Sequence, residues 1–186
     1  MLDELIELFW EQGYEATSMT DIVEATGLNK SSLYNAFGSK DALLNEALTR
    51  YVDLRSGMAA MVLAEGTAGL ADIHSLFDRL WQEFDEGSDR RGCLAVNSST
   101  ELGGRNTDVV AGVRRYRTLM RNAFRAALTR AADQGEIAPQ LVETYVNLSV
   151  TGMLGMAVLV RSGADRNEVL AHLDAARHQV ESWKLS

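Results

Sequence analysis

The sequence has little of what marks a secreted or a membrane-spanning protein. A single cysteine, Cys93, excludes an internal disulfide framework. The longest apolar run, residues 148–160, has 13 residues, fewer than the roughly 20 that a helix needs to cross a bilayer. No positively charged segment with a cleavage site after it opens the chain. We therefore expect a cytoplasmic protein with no membrane partner.

Catalytic and metal-binding motifs are also lacking. Of the three histidines, His74 is distant in sequence from His172 and His178, and the latter two fall on different helix faces, so they cannot chelate one metal together. The sequence contains no zinc-protease histidine pair, nucleophile elbow, phosphate-binding glycine loop or dinucleotide fingerprint. We therefore expect no enzyme, and neither a metal nor an organic cofactor.

What the chain does have, over residues 18–44, is the pattern of a helix-turn-helix that leads into a further helix. Ser18 and Asp21 form an S-x-x-D capping box, which predicts the start of a short helix. Gly27 ends this helix, because glycine adopts the left-handed backbone of a C-cap, and Asn29 then caps the second helix. The apolar side chains predicted on the buried side of the first helix are Ile22, Val23 and Ala25.

The second of these helices is predicted over residues 30–36, with Leu33 and Phe37 in the core. Ser39 then caps the helix that follows. Its continuous apolar face predicts packing against the helix-turn-helix. The residues of that face are Leu43, Leu44, Ala47, Leu48 and Tyr51.

The segment GLNKSSLYNAFGSKDALL, residues 27–44, closely resembles the DNA-binding domain of the TetR family of bacterial transcriptional regulators. The resemblance covers roughly residues 1–52 and includes Gly13-Tyr14 and Thr17-Ser18, where the family has a glycine-aromatic turn and small hydroxyl residues. It implies an all-α fold: a three-helix helix-turn-helix DNA-binding domain in residues 1–52, then a larger helical effector-binding and dimerisation domain in residues 53–186. In the family the first helix braces the helix-turn-helix, and the residues expected to do so are Leu2, Leu5, Ile6 and Phe9.

The resemblance and the side-chain chemistry together predict contacts with a double-stranded, palindromic DNA operator. Lys30 and Asn35 have groups suited to base edges, because lysine donates to guanine and asparagine pairs with adenine. Tyr34 is one of the residues expected to contact DNA phosphates. The predicted DNA-binding residues are Thr20, Asn29, Lys30, Ser31, Ser32, Tyr34, Asn35 and Lys40. For each of them the alternative is a solvated surface side chain.

Basic residues are scarce where DNA binding is predicted. Residues 1–50 carry nine acidic and three basic side chains, a formal balance of −6. Because counterion release supplies most non-specific affinity, we expect weak binding to random DNA and dependence on helix N-termini, hydroxyls and a few cations. One hypothesis for the scarcity of basic residues is that the natural protein has further residues before Met1, where the family usually has a basic arm.

The remaining sequence predicts helices and no strand. Apolar residues recur at helical spacing over residues 70–84 and 107–134, and residues 91–102 form a shorter element. Pro139 suits the first turn of the next helix, expected over residues 140–160. The last helix, after a Ser-Gly-Ala break, has apolar side chains at alternating spacings of four and three: Val169, Leu173, Ala176, Val180 and Trp183.

The last two predicted helices are the expected surface of a homodimer. Ser149, Gly152 and Gly155 place small residues on one side of the penultimate helix, and Trp183 offers bulk that fills grooves. A helix-turn-helix protein usually needs two-fold symmetry to bind two half-sites. The alternative is that the two helices pair only within one chain.

The family resemblance also implies a pocket for a small-molecule effector in the second domain. Effector binding there would favour a conformation that does not fit the operator. The predicted lining residues are Phe77, Trp81, Phe84, Cys93, Tyr116, Met120, Phe124, Tyr145 and Met153. The alternative is an ordinary core, where aromatic side chains and methionines commonly pack.

Two further features have alternative interpretations. Cys93 follows two arginines near a predicted helix start, surroundings that activate a thiol, so an electrophile or oxidant sensor is one hypothesis and a buried, inert thiol the favoured one. A row of arginines shares one helix face and is more typical of a solvated face paired with carboxylates than of an anion site. Its members are Arg114, Arg117, Arg121 and Arg125.

These observations favour a DNA-binding transcriptional regulator, expected to be a repressor that a small-molecule effector releases from its operator. The alternative function is a ligand- or electrophile-sensing helical dimer that has lost DNA binding, for which the acidic N-terminal part is the motive.

Overall fold

The computed structural model describes residues 1–86 and 90–185, and this part of the chain is helical, without a strand. A five-residue π-helical segment, Ala60–Ala64, continues α4, and a short 3-10 helix, Pro139–Leu141, precedes α8. The α-helices are α1 Leu2–Gln12, α2 Met19–Thr26, α3 Lys30–Phe37, α4 Lys40–Ala59, α5 Leu70–Asp85, α6 Leu94–Leu102, α7 Thr107–Asp133, α8 Val142–Arg161 and α9 Arg166–Glu181. The predicted all-α fold is confirmed.

The chain divides into two compact units. The first unit comprises residues 1–54 and 93–116, and the second comprises residues 55–92 and 117–186. The first unit therefore contains α1 to α3, most of α4, α6 and the beginning of α7. Residues 93–116 thus pack with the helix-turn-helix, although about 50 residues of sequence separate the two segments.

The core of the first unit is built by α1 and the helix-turn-helix. Leu5, Ile6 and Phe9 are buried as predicted, whereas Leu2 is half-buried. Trp10 is also buried, with its ring edge-on to the ring of Tyr51 at a centroid distance of 5.1 Å. Sequence periodicity misses Trp10 because the partner that covers it lies on α4. The predicted buried side of α2 is narrower in the structure: Ile22 is fully buried, and two neighbours are half-buried, Val23 and Ala25.

The second unit has an apolar cluster formed by α5, α8 and α9. Phe84, Val160, Val169 and Leu173 are buried together, and four partly buried side chains pack against them: Phe77, Trp81, Met156 and Ala164. The apolar seam predicted for the last helix therefore packs within the chain at Val169 and Leu173. Trp183 also has a partner in its own chain, since its ring stacks on that of Tyr145 at 4.2 Å.

The start of α8 differs from the sequence prediction. Pro139 begins the 3-10 helix, and the α-helix itself starts at Val142. By length and composition, the segment Pro139–Arg161 is apolar enough to cross a membrane, with a mean hydropathy of 1.2, although the longest unbroken apolar run is shorter than a span. Of the most apolar 18-residue stretch within this segment, 11% is buried. The second unit thus leaves much of a long apolar helix exposed.

A partly buried polar contact ties the end of the π-helical segment to α7. The Arg130 guanidinium donates to the carbonyl oxygen of Leu63 at 2.6 Å and to the carboxylate of Asp72 at 2.7 Å. π-Helical turns are rare and often occur at functional sites. No sequence signal marks this one, because its partners come from helices distant in sequence.

Candidate nucleic-acid interface

The turn of the helix-turn-helix has the geometry that the sequence predicts. The Ser18 hydroxyl accepts a hydrogen bond from the backbone N–H of Asp21 at 3.1 Å, and the Asp21 carboxylate accepts one from the N–H of Ser18 at 2.7 Å. Gly27 then ends α2 with φ 67°, a left-handed conformation that only glycine adopts without strain. The predicted capping box and glycine C-cap are confirmed.

Helix α3 presents a polar surface to solvent. The Asn29 side-chain oxygen caps it by accepting from the backbone N–H of Ser32 at 2.8 Å. Leu33 is 1% exposed and anchors the helix, whereas Phe37 is half-buried, less than the predicted core position. Of the eight predicted DNA-binding residues, seven have exposed side chains: Thr20, Asn29, Lys30, Ser31, Ser32, Tyr34 and Asn35. Together they form what we call the α3 face, and their contacts with DNA stay a prediction.

Two lysines bring positive charge to this part of the molecule. The Lys30 ammonium lies 5.9 Å from the centroid of the Tyr34 ring, on the α3 face itself. The Lys40 ammonium, at the N-terminus of α4, lies 4.2 Å from the centroid of the Tyr14 ring. Cation–π contacts of this kind restrict where a flexible ammonium group can reach.

The third cation of residues 1–50, Arg50, is engaged by an acidic side chain. Its guanidinium donates to both carboxylate oxygens of Asp3, at 2.6 and 2.9 Å. This bidentate bond lowers the pKa of the Asp3 carboxyl. Within residues 1–50, the positive charge beside the α3 face therefore comes from Lys30, Lys40 and the N-terminal ends of the helices.

Sequence reasoning noted Tyr14 as part of a family motif but gave it no role. Burial, followed by a hydrogen bond to Asp41, raises the pKa of Tyr14 to about 12. The phenol thus stays neutral and bonded to the first turn of α4. The signal in the sequence was the Gly13-Tyr14 pair, but its partners on α4 and α6 become apparent only in the folded chain.

Comparison with known protein families identifies both ends of the chain. Residues 1–47 match the family model described as bacterial regulatory proteins of the tetR family. Residues 69–173, more than half of the chain, match the model described as the tetracyclin repressor-like C-terminal domain. The chain belongs to the TetR family. It is therefore a DNA-binding transcriptional regulator.

Individual TetR-family proteins extend this similarity over nearly the whole chain. The HTH-type transcriptional repressor ComR of Escherichia coli is 28% identical over 171 residues, covering 91% of this chain and 81% of ComR. The solved structure of the regulator CifR, a cysteine-substituted form with 26-base-pair operator DNA, is 26% identical with a TM-score of 0.82, covering 95% and 93% of the two chains. A TetR-family regulator from Agrobacterium tumefaciens, 17% identical with a TM-score of 0.84, covers 99% and 97% and shows the same fold.

The predicted effector-pocket residues of this TetR-family chain are largely buried. Phe77, Trp81 and Phe84 lie together in or against the α5–α8–α9 cluster, and Tyr145 stacks on Trp183. On α7, Tyr116, Met120 and Phe124 are buried, and Met153 of α8 is half-buried. An open groove of about 580 Å³ lies elsewhere on α7, lined by Asn122, Arg125, Ala126, Thr129, Arg130 and Asp133. The pocket residues stay a prediction.

Cys93 and the arginine row have the settings that sequence analysis favoured. Cys93 is 7% exposed and occupies the N-cap position of α6, which suits a packed thiol. Arg125 donates to both carboxylate oxygens of Glu143, at 2.5 and 3.0 Å, and Arg121 donates to the same carboxylate at 3.1 Å. This part of the row thus forms an ion-pair network on the surface.

Proposed function

We propose that this TetR-family regulator is a homodimeric repressor that binds a palindromic operator through α3 and is released from it by a small-molecule effector. The observation that carries the proposal is the α3 face, with exposed Lys30, Tyr34 and Asn35 on a helix anchored by buried Leu33. The similarity to CifR, whose solved structure holds operator DNA, supports the same use of this face. ComR and other relatives named as repressors support the direction of regulation.

Side-chain chemistry distributes roles across the face. Lys30 and Asn35 contact base edges in the major groove, because their donors and acceptors match guanine and adenine. Thr20, Tyr34 and Lys40 bind phosphates and set the register of the protein on the duplex. Around the N-terminus of α3, the remaining predicted residues support a phosphate contact through hydroxyl, amide and backbone N–H groups: Asn29, Ser31 and Ser32.

Dimerisation is proposed through the exposed side of α8. Leu148 is 42% exposed and Val158 is 50% exposed, unusual values for large apolar side chains on one helix. Gly152 and Gly155 lie between them, and a Cβ atom added to either would meet nothing within 4 Å. These four residues, which we call the α8 stripe, recur at helical spacing and let a second backbone approach closely. Ser149, grouped with the two glycines in the sequence, is buried instead.

The partner that packs against the α8 stripe is a second copy of the same chain, because the proposed function requires a dimer. A two-fold dimer places two copies of α3 about one DNA turn apart, roughly 34 Å, which is what a palindromic operator requires. The apolar seam of α9 contributes less to the dimer interface than its sequence pattern predicts, since Val169 and Leu173 already pack within the chain.

The effector is proposed to bind in the second unit. The similarity of residues 69–173 to the tetracyclin repressor-like C-terminal domain supports a ligand-binding role. A ligand that binds better to a conformation unsuited to the operator lowers the population that binds DNA. Phe77, Trp81 and Phe124 are the first side chains to test as contacts.

The experiment that tests the proposal is fluorescence anisotropy of the protein on DNA from just upstream of its own coding sequence, with a scrambled duplex as control. We expect saturable binding at two protomers or more per site, preferred over the scrambled duplex and weaker at high salt. Equal binding to both duplexes would contradict a local operator, and no binding to either would favour the ligand-sensing dimer that has lost DNA binding.

A further inference from the structure

The turn between α6 and α7 is bonded to both segments that surround Lys40. This segment, residues 101–106, comprises the last two residues of α6 and the turn that leads to α7; we call it the α6–α7 junction, and it lies in the same compact unit as the helix-turn-helix. Neither of its polar anchors, Glu101 and Asn106, belongs to the α3 face. Their hydrogen bonds nevertheless connect them to the first turn of α4 and to the turn after α1.

Glu101 holds the turn that follows α1. Its two carboxylate oxygens accept hydrogen bonds from successive backbone N–H groups, that of Tyr14 at 2.9 Å and that of Glu15 at 2.7 Å. Gly13 has φ +82°, and a Cβ atom there would lie 3.1 Å from a Glu101 oxygen. The glycine thus allows both the backbone conformation and the close approach of the carboxylate.

Asn106 holds the N-terminus of α4 and caps α7 at the same time. Its side-chain nitrogen donates to the Asp41 carboxylate at 2.9 Å. Its side-chain oxygen accepts from the backbone N–H groups of Asp108 and Val109, both at 3.1 Å. One amide therefore uses donor and acceptor for two different helices, which neither an aspartate nor a leucine can reproduce.

The two anchored segments meet at Lys40. Glu101 holds the backbone of Tyr14, and the centroid of the Tyr14 ring lies 4.2 Å from the Lys40 ammonium. Asp41, which after burial contributes most to the raised pKa of Tyr14, is the carboxylate to which Asn106 donates. Lys40 thus lies beside Tyr14 and Asp41, and a residue of the α6–α7 junction holds each of these two neighbours.

We propose that Glu101 and Asn106 are positioning residues for DNA binding, which hold Tyr14 and Asp41 so that the Lys40 ammonium is aimed at an operator phosphate. This inference rests on the phosphate contact assigned to Lys40 above. Loss of either anchor frees the Tyr14 ring and Asp41 to shift, and the ammonium then pays more conformational entropy to reach the same phosphate.

The test compares operator and scrambled-duplex affinities, over a range of salt concentrations, for Asn106→Asp and Glu101→Gln alone and combined with Lys40→Ala. Asn106→Asp keeps the acceptor that caps α7 and replaces the donor by an oxygen that faces Asp41. We expect each single variant to bind both duplexes about fivefold to tenfold more weakly, the scale of one typical hydrogen bond lost. The salt slope should fall by about one, as for a lost phosphate contact.

The distinguishing result is the double variant. If the anchors act through Lys40, adding either substitution to Lys40→Ala should cause no further loss, because the contact is already absent. Two matched controls on α9, Asn167→Asp and Glu168→Gln, change net charge in the same way and should leave DNA affinity unchanged. Thermal unfolding followed by circular dichroism checks that each variant is folded.

Two outcomes would overturn the inference. Equal further losses in the Lys40→Ala background would show that the anchors support the fold of the unit in general. If Lys40→Ala weakens DNA binding but neither anchor variant does, Lys40 contacts DNA without help from Glu101 and Asn106. Should Lys40→Ala itself have no effect, the inference fails with that contact, whereas loss of binding in Lys30→Ala would separately preserve the proposed use of α3.

Discussion

At the scale of residues, the two lysines near α3 have different surroundings and therefore different expected roles. Lys30 is exposed at the first position of α3, beside Tyr34. Lys40 is half-buried and lies over the ring of Tyr14, outside α3. A side chain at the start of a recognition helix reaches base edges, whereas one on the adjoining helix reaches the DNA backbone.

Lys30→Ala is expected to weaken operator binding by about 1–3 kcal/mol and to relax preference at one base pair. Lys40→Ala should weaken binding to all sequences alike and reduce the salt slope by about one. Anisotropy titrations on the operator and a set of single-base variants measure both effects. A uniform loss across all duplexes for Lys30→Ala would assign that lysine to a phosphate instead.

Loss of the Arg130 guanidinium should destabilise the second unit. Its bonds to the Leu63 carbonyl and the Asp72 carboxylate are largely shielded, with side chains 21% and 12% exposed for Arg130 and Asp72. We expect Arg130→Gln to lower the free energy of unfolding by about 2 kcal/mol, the scale of hydrogen bonds to charged groups. Urea unfolding measures it. Adding Asp72→Asn should recover part of the loss, and strictly additive losses would count against the pair.

At the scale of elements, α2 and α3 are specified by their own ends. The capping box, the left-handed Gly27 and the Asn29 cap each act within four residues, so the sequence alone predicts them. The π-helical segment after α4 is the opposite case. Its stabilising partner, Arg130, lies 67 residues away from Leu63, and no local pattern announces it.

Gly27→Ala should destabilise the protein by about 1 kcal/mol, because alanine is strained in the left-handed conformation. The effect is purely conformational, since a Cβ atom at Gly27 meets nothing within 4 Å. The matched control is Gly57→Ala within α4, where space is equally open, and where alanine should stabilise by roughly 0.5–1 kcal/mol. Urea midpoints compare the two, and a loss at both positions would contradict the argument.

At the scale of the whole molecule, the exposed apolar side of α8 is a feature that a lone chain leaves unsatisfied. Exposed apolar patches on soluble proteins commonly mark interfaces. The α8 stripe combines two large apolar side chains with two glycines, which suits close packing of a symmetry-related helix.

Leu148→Glu on this stripe should shift the protein from dimer to monomer at micromolar concentration and weaken operator binding by more than tenfold, since each α3 would then bind a half-site alone. The control is Leu54→Glu, a leucine of comparable exposure, 53% against 42%, in the other unit. Sedimentation velocity measures the oligomeric state. A monomeric wild-type protein, or a dimer that survives Leu148→Glu, would contradict an interface on α8.

Sequence alone is enough to predict the helix-turn-helix, its caps, the anchoring residue Leu33 and the family, because these depend on interactions between residues close together in the chain. The side chains of the α3 face were likewise predictable, since a helix of known phase with one buried side leaves the other exposed. Tertiary structure decided the rest. The burial of Trp10, the use of the α9 seam within the chain and the bonds of Glu101 and Asn106 to the turn after α1 and the start of α4 all join residues 40 or more positions apart. Such contacts depend on how helices pack, and hydrophobic periodicity records which side of a helix is covered but not what covers it.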